Sequence, residues 1–245
     1  MRQAGRTIGS CFGWAAASVL AAQYAPSVVA LGQWTPLEAL PGERCRWQGP
    51  RERPGVALTF DDGPHPEGTP AILDRLDDLG LRATFFPLGS AVQRYPALVD
   101  EVVRRGHLVG THGYRHAHHL ARTPAWVRRD LSRAGEVMGA GGHRPSWYRP
   151  AFGQVTAATL AAARRMGWRT VLWSAWGREW ATSDPGAVAA RISRRLQAGA
   201  VVLLHDSDAF GPPGMWRTAL RSLDRVAAQL ATRGLAAVTL DELVR

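Results

Sequence analysis

The sequence predicts an α/β fold, a distorted (β/α)7-8 TIM-like barrel, and three observations predict it. The chain has 245 residues, which suits one barrel-sized domain better than two small ones. From Val56 onward, short β-branched and apolar runs alternate with amphipathic stretches, the pattern of βα units around a mainly parallel sheet. About seven such units follow one another without an internal repeat; with right-handed crossovers they favour a closed or distorted barrel over an open sheet.

Each element has its own signal. Val56–Phe60 reads as a buried strand broken by Gly63 and Pro64. Thr69-Pro70 caps a helix with Ile72, Leu73, Leu76 and Leu79 on one face, and Gly80 ends it. Ala83–Phe86 is the second strand. One helix is expected from Ser90 to Arg105, stopped by Gly106, and a third strand from His107 to Thr111. Thr123-Pro124 starts a helix to about Met138. Trp147–Arg149 is a short strand, followed by a Gly turn and a helix over Thr156–Met166. Thr170–Ala175 is a strand, Asp184-Pro185 caps a helix to Gln197, and Ala200–His205 is a near-continuous apolar strand. A helix over Met215–Arg233 and a last strand over Leu235–Leu240 complete the chain.

Composition narrows the function classes. The formal charge is +10, and the 30 basic residues are all Arg. They are scattered and no aromatic-basic motif for base stacking accompanies them, so nucleic acid is not expected as a partner. Cys11 and Cys45 are too few for a disulfide framework or a sulfur-rich metal site, so a metal here is held by His and carboxylate. Arg2 and Arg6 precede an apolar run from Ile8 to about Ala22. Residues 1–32 therefore read as a signal peptide or membrane anchor, residues 33–55 as a Pro-, Gly- and Arg-rich linker, and residues 56–245 as the folded domain. The expected location is secreted or membrane-anchored at the cell envelope; the oligomeric state is open.

Several strand ends carry chemistry. Asp61 and Asp62 lie where a buried strand turns, the end at which α/β folds keep their sites. Neighbouring strand residues face opposite ways, so the two carboxylates should have different jobs unless the turn twists them together. A hard oxygen there can hold a metal or take a proton from water; alone, Asp-Asp-Gly-Pro is a surface turn. His112 and His116 are four apart and can point the same way on a helical turn, forming with a carboxylate a set that leaves metal positions open; His118 and His119 in the same loop blur that choice. Arg149 ends a strand and can pair with a buried carboxylate, and Gly153 lets backbone amides approach a ligand. The stretch Trp173–Trp180 offers aromatic platforms for sugar rings, or core. His205 ends a buried strand beside Asp206, as a general acid or a satisfied structural group.

Thr59–Pro64, His112–His116, Arg149–Gly153, Trp173–Trp180 and Leu203–Asp206 stand in the order of the polysaccharide deacetylases, the NodB-homology proteins of carbohydrate esterase family four, which this chain resembles from about Val56 to Leu243. Ala83–Phe86 also looks like that family's second strand. The resemblance implies a distorted barrel of NodB-homology type and metal-dependent removal of N-acetyl or O-acetyl groups from a glycan such as peptidoglycan or a chitin-like polymer. It implies Asp62, His112 and His116 as metal ligands, most simply for Zn2+, with Co2+ or a similar ion as the alternative. It implies Asp61 as general base, His205 as general acid, Arg149 as the group that steadies the base, and the Phe152 amide as oxyanion donor. Leu203 and Trp180 would wall the acetyl pocket. Gly113 stands where Ser or Thr is usual, Glu179 where Asp is usual, and Trp176 at an often acidic position. The extra methylene of Glu179 bears on the carboxylate that orients His205 or Arg149. The competing expectations are a metal-dependent amide or ester hydrolase acting on a non-glycan substrate, and a glycan-binding module with a decayed site.

Overall fold

The computed structural model describes residues 45–46 and 48–245; the expected export or anchor segment and the linker up to residue 44 lie outside them. The central strand is β2, Gly55–Asp61, every residue of which is buried. It is flanked in parallel by β3, Thr84–Phe86, and β8, Val201–His205, and at its start by β9, Ala236–Val238. β4, Leu108–Val109, extends the sheet beyond β3, and β7, Ala175–Trp176, extends it beyond β8. A second sheet has the order β1-β6-β5, with β1 Cys45–Arg46, β5 Trp147–Tyr148 and β6 Arg169–Val171.

The two sheets nearly close on each other. A parallel bridge between Thr111 and Tyr148 joins the β4 side to β5, and an antiparallel bridge between Gln48 and Ala200 joins the β1 side to β8. This is the distorted barrel that the sequence predicts, with its seam between β6 and β8 filled by β1 at one end and β7 at the other.

Alternation along β2 divides the core in two. Val56, Leu58 and Phe60 pack against Ile72, Leu73 and Leu76 of α1, Gly68–Asp78, and with residues that include Leu223 and Val226 of a late helix, Met215–Thr232. Ala57 belongs instead to the barrel interior with Phe86, Trp147, Val171 and Val201. Each fully buried Leu, Ile or Phe contributes about 1.5–3 kcal/mol on removal from water.

Several expectations are corrected. Cys45 and Arg46, read as linker, form β1: Cys45 is fully buried, and the Arg46 carbonyl accepts from Leu172 N at 2.5 Å. The helix expected over Ser90–Arg105 is two, α2 Gly89–Val92 and α3 Pro96–Arg104, because Pro96 drives Tyr95 out of the helical region, to φ −135° and ψ 57°. The strand expected over Thr170–Ala175 splits into β6 and β7, which belong to different sheets. Between them the Leu172 carbonyl turns inward and accepts from Arg149 Nη2 at 2.9 Å. The last strand is short because Thr239 and Glu242 form a capping box that starts a helix, Leu240–Leu243. Thr69 does not cap α1; its hydroxyl donates to Asp206 and accepts from His65 N.

Candidate active site

β2 and β8 run in register with Asp61 opposite His205, so both side chains emerge at one level at the carboxyl ends of neighbouring strands. Asp62 has a left-handed backbone, φ 74°, which breaks the strand alternation. Both carboxylates consequently line the same pocket, together with His112, His116, Trp180 and His205; its volume is about 480 Å³. The turn that follows passes over Asp206 so closely that a Cβ at Gly63 would lie 2.2 Å from its carboxylate. Asp206 therefore props the turn from below and is not part of the pocket wall. Burial raises its pKa to about 7, against a hydrogen bond from Thr69.

Asp61 and Arg149 form a closed pair. Arg149 is fully buried, donates to Asp61 Oδ1 at 2.8 Å and to Thr59 Oγ1 at 2.7 Å, and leaves Asp61 Oδ2 open. His205 Nδ1 lies 2.8 Å from Glu179 Oε1. The longer side chain at position 179 thus reaches His205 without displacing it, and Glu179 serves His205 rather than Arg149. Burial opposes a charged His205, but the Glu179 hydrogen bond and the nearby carboxylates outweigh it and raise its pKa to about 9. Trp180 stands perpendicular to the same ring, 5.6 Å between centroids.

His112, Asp62 and His116 form the other half. Both Nε2 atoms lie 3.5 Å from Asp62 Oδ1, and one donor atom from each residue lies within 4.8 Å of the others. The His loop is not a helical turn. Gly113 takes φ 90°, and the loop is fixed from outside by Gly89 N donating to the Gly113 carbonyl and Ser90 N to the Tyr114 carbonyl. Asp130, on α4 (Pro124–Ala140), accepts from Tyr114 N at 3.0 Å and Arg115 N at 3.4 Å. A side chain at position 113 is therefore not what braces this loop.

The donor set fits a divalent cation. Asp62 Oδ1 is buried and has no hydrogen-bond partner. Burial lifts the Asp62 pKa to about 7 against the nearby His205 charge, and burial lowers both His112 and His116 to about 3, so the imidazoles present unprotonated nitrogens beside a carboxylate oxygen that accepts no hydrogen bond. One carboxylate oxygen and two imidazole nitrogens are the ligand chemistry of zinc and similar ions.

The other expected residues divide. Phe152 lines the pocket in a left-handed turn, φ 58°, with its ring 47% exposed and stacked on His118 at 3.7 Å. Leu203 does not reach the pocket: it is buried two residues below His205, paired with Thr59. Trp176 also stands outside it, under the Arg195 guanidinium at 4.5 Å. His119, a rival in the same loop, is buried against Thr159 Oγ1 at 3.1 Å. Trp173, the first of the expected aromatic platforms, also lines the pocket; sequence reasoning did not single out Phe210, Gly211, Pro212 or Met215, which complete the wall. Phe210, half exposed, stacks on His116 at 4.4 Å. Its only local signal was the Gly-Pro-Pro run that follows it.

Comparison with known proteins points the same way. The polysaccharide deacetylase family matches residues 48–171. A peptidoglycan-N-acetylglucosamine deacetylase of Bacillus cereus is 30% identical over 213 residues, covering 86% of this chain and 76% of that protein. The crystal structure of the peptidoglycan N-acetylglucosamine deacetylase Bc1960 superposes with a TM-score of 0.79 at 30% identity, covering 86% of this chain and 97% of that one. A family 4 acetyl xylan esterase from Clostridium thermocellum, solved with a cobalt ion, gives 0.69 at 26% identity, covering 77% and 89%.

Proposed function

The chain belongs to the polysaccharide deacetylase family, carbohydrate esterase family four, and from that premise we propose that its pocket removes N-acetyl groups from an N-acetylglucosamine-containing glycan of the cell envelope. The observation that carries the reading is the convergence of Asp61, Asp62, His112, His116 and His205 on one pocket.

Asp62, His112 and His116 would hold the metal, most simply Zn2+. When bound, the metal supplies Lewis-acid polarisation of the acetyl oxygen and acidifies water. Asp61 Oδ2, the oxygen that Arg149 leaves open, takes a proton from the attacking water. The Phe152 amide, within a left-handed turn at the pocket, donates to the oxygen on which charge develops. Glu179 on Nδ1 leaves His205 Nε2 to face the pocket, and its raised pKa keeps the proton available at neutral pH. That proton goes to the sugar nitrogen as the C–N bond breaks, giving a free amine and acetate. Trp180 and Trp173 wall the space for the acetyl group and its sugar.

The test is acetate release from N-acetylglucosamine oligomers and from peptidoglycan, before and after chelation and after Zn2+ or Co2+ is restored. Asp61→Asn should lower kcat about 10³-fold. Chelator-insensitive release, or an Asp61→Asn enzyme as fast as the wild type, overturns the assignment. Likeness to an acetyl xylan esterase favours one second reading, O-acetyl hydrolysis in the same pocket, and acetylated xylan separates the two.

A further inference from the structure

We propose that the hollow on the outer side of the His112–His116 loop, lined by Tyr114, Arg115, Trp126, Arg129, Asp130 and Arg133, is a subsite for an oxyanion, a carboxylate or phosphate carried by the glycan. The proposal rests on the deacetylase reading and names a charged substrate for it. The hollow measures about 310 Å³, ample for such a group. The guanidinium groups of Arg115 and Arg133 lie 5.8 and 5.7 Å from the centre of the same Tyr114 ring, so two cations gather about one aromatic side chain. Arg129 stands one helical turn before Arg133 on the same side of α4. At the border, Arg122 lies over Trp126 at 4.8 Å.

The hollow's own carboxylate attracts Arg115 and Arg122 but forms no ion pair with either and is one charge against several. Asp130 is buried, and its Oδ2 is already engaged by the amides of Tyr114 and Arg115. Arg133 pairs at 3.1 Å with Glu136, its exposed helix neighbour. Among the described residues, Arg115, Arg122 and Arg129 make no ion pair, whereas Arg75, Arg104 and Arg105 on other helices do. The guanidinium fork suits carboxylate and phosphate oxygens, and unlike Lys it gives up little rotamer freedom per hydrogen bond. His112 and His116 face the catalytic pocket while Tyr114 and Arg115, between them in the chain, line the hollow. One loop therefore separates the two sites, and a glycan lying across it can place an acetamide in one and an acidic substituent in the other.

The test uses the full chain and an Arg129→Gln/Arg133→Gln double variant, neither residue belonging to the catalytic pocket. Acetate release is measured on neutral N-acetylglucosamine oligomers, on soluble peptidoglycan fragments with free carboxylates, and on the same fragments amidated; a phosphate-bearing wall polymer serves as competitor. For the carboxylate-bearing fragments the double variant should raise KM about fivefold with kcat unchanged, the size expected for exposed ion pairs. The amidated and neutral substrates should not respond, and the salt dependence of KM should flatten. If phosphate is the natural group, the competitor should inhibit the wild type more strongly than the variant. Identical behaviour of both enzymes towards carboxylate and phosphate probes overturns the subsite, as does an equal loss on the neutral oligomer. A wild type inactive on every glycan overturns the deacetylase reading instead, and calorimetric binding of the carboxylate-bearing fragments then decides the subsite separately.

Discussion

On one side of the pocket, Arg149 donates to Asp61 at 2.8 Å and Glu179 holds His205 at 2.8 Å; on the other, Asp62 Oδ1 meets two imidazole nitrogens at 3.5 Å and hydrogen-bonds to neither. Both halves bury charge at the same depth, but only the first holds it in hydrogen-bonded pairs; the nearest cation to Asp62 is His205 Nε2, 4.0 Å from its Oδ2 and too far to hydrogen-bond. A buried carboxylate with a cation against it is stable as it stands, whereas one without must be protonated or find a cation from outside. The pKa of Asp62, lifted to about 7 by burial, marks the side that is built for a ligand.

Breaking the compensated half should cost most. Arg149→Met leaves Asp61 buried and unpaired, and should lower stability by about 3–5 kcal/mol; thermal unfolding should register roughly 2–4 °C for each kcal/mol in a domain of this size. An unchanged melting temperature would mean that the pair is not a closed unit. Stripping metal from the open half should lower stability by about 2.7 kcal/mol relative to protein held at a hundredfold excess over Kd, seen as a chelator-dependent melting temperature.

Glu179→Gln keeps an acceptor for Nδ1 but removes the charge that helps raise His205, and should lower kcat about tenfold, roughly 1.4 kcal/mol of barrier. The sign of its pH effect is fixed. With His205 as the proposed acid, the wild-type rate should fall as pH rises through about 9, and the variant's basic limb should move toward the ordinary imidazole value of 6.5. A basic limb that stays in place disconnects Glu179 from His205. Asp130→Ala frees the Tyr114 and Arg115 amides and should cost about 1–3 kcal/mol, with weaker metal binding measurable by calorimetry.

The smallest effect sharpens the comparison most. With its pKa raised from 3.8 to about 7, Asp62 binds its proton more tightly in the folded chain, so metal-free stability falls as pH rises between those values. Asp62→Asn should remove that slope, leaving the metal-free protein as stable or more so at pH 8 while abolishing metal binding. A metal-free Asp62→Asn protein markedly less stable than wild type would show that Asp62 is compensated after all.

The strands, most helices and the five strand-end motifs were legible because each is written in adjacent residues. Apolar alternation, Thr-Pro and Asp-Pro caps, and Gly turns act locally, and so do the left-handed turns that aim Asp62 and Phe152. Where local rules competed, the reading slipped: Pro96 divides one helix, and the inward Leu172 carbonyl divides one strand. β1 carries no strand signal in a Pro- and Arg-rich stretch; it exists because the edge of β6 accepts it.

The sequence by itself determined which side chains exist at the strand ends, and thereby which carboxylates and imidazoles are available to the pocket. Only the tertiary structure decided that β2 and β8 stand in the register that sets Asp61 opposite His205, and that Glu179 steadies His205. It alone placed Leu203 beneath the pocket, Phe210 at its mouth and Asp130 behind the His loop. The physical reason is that residue type and turn chemistry are local, whereas register, burial and charge compensation depend on partners up to about 150 residues away, as Asp61 and His205 are.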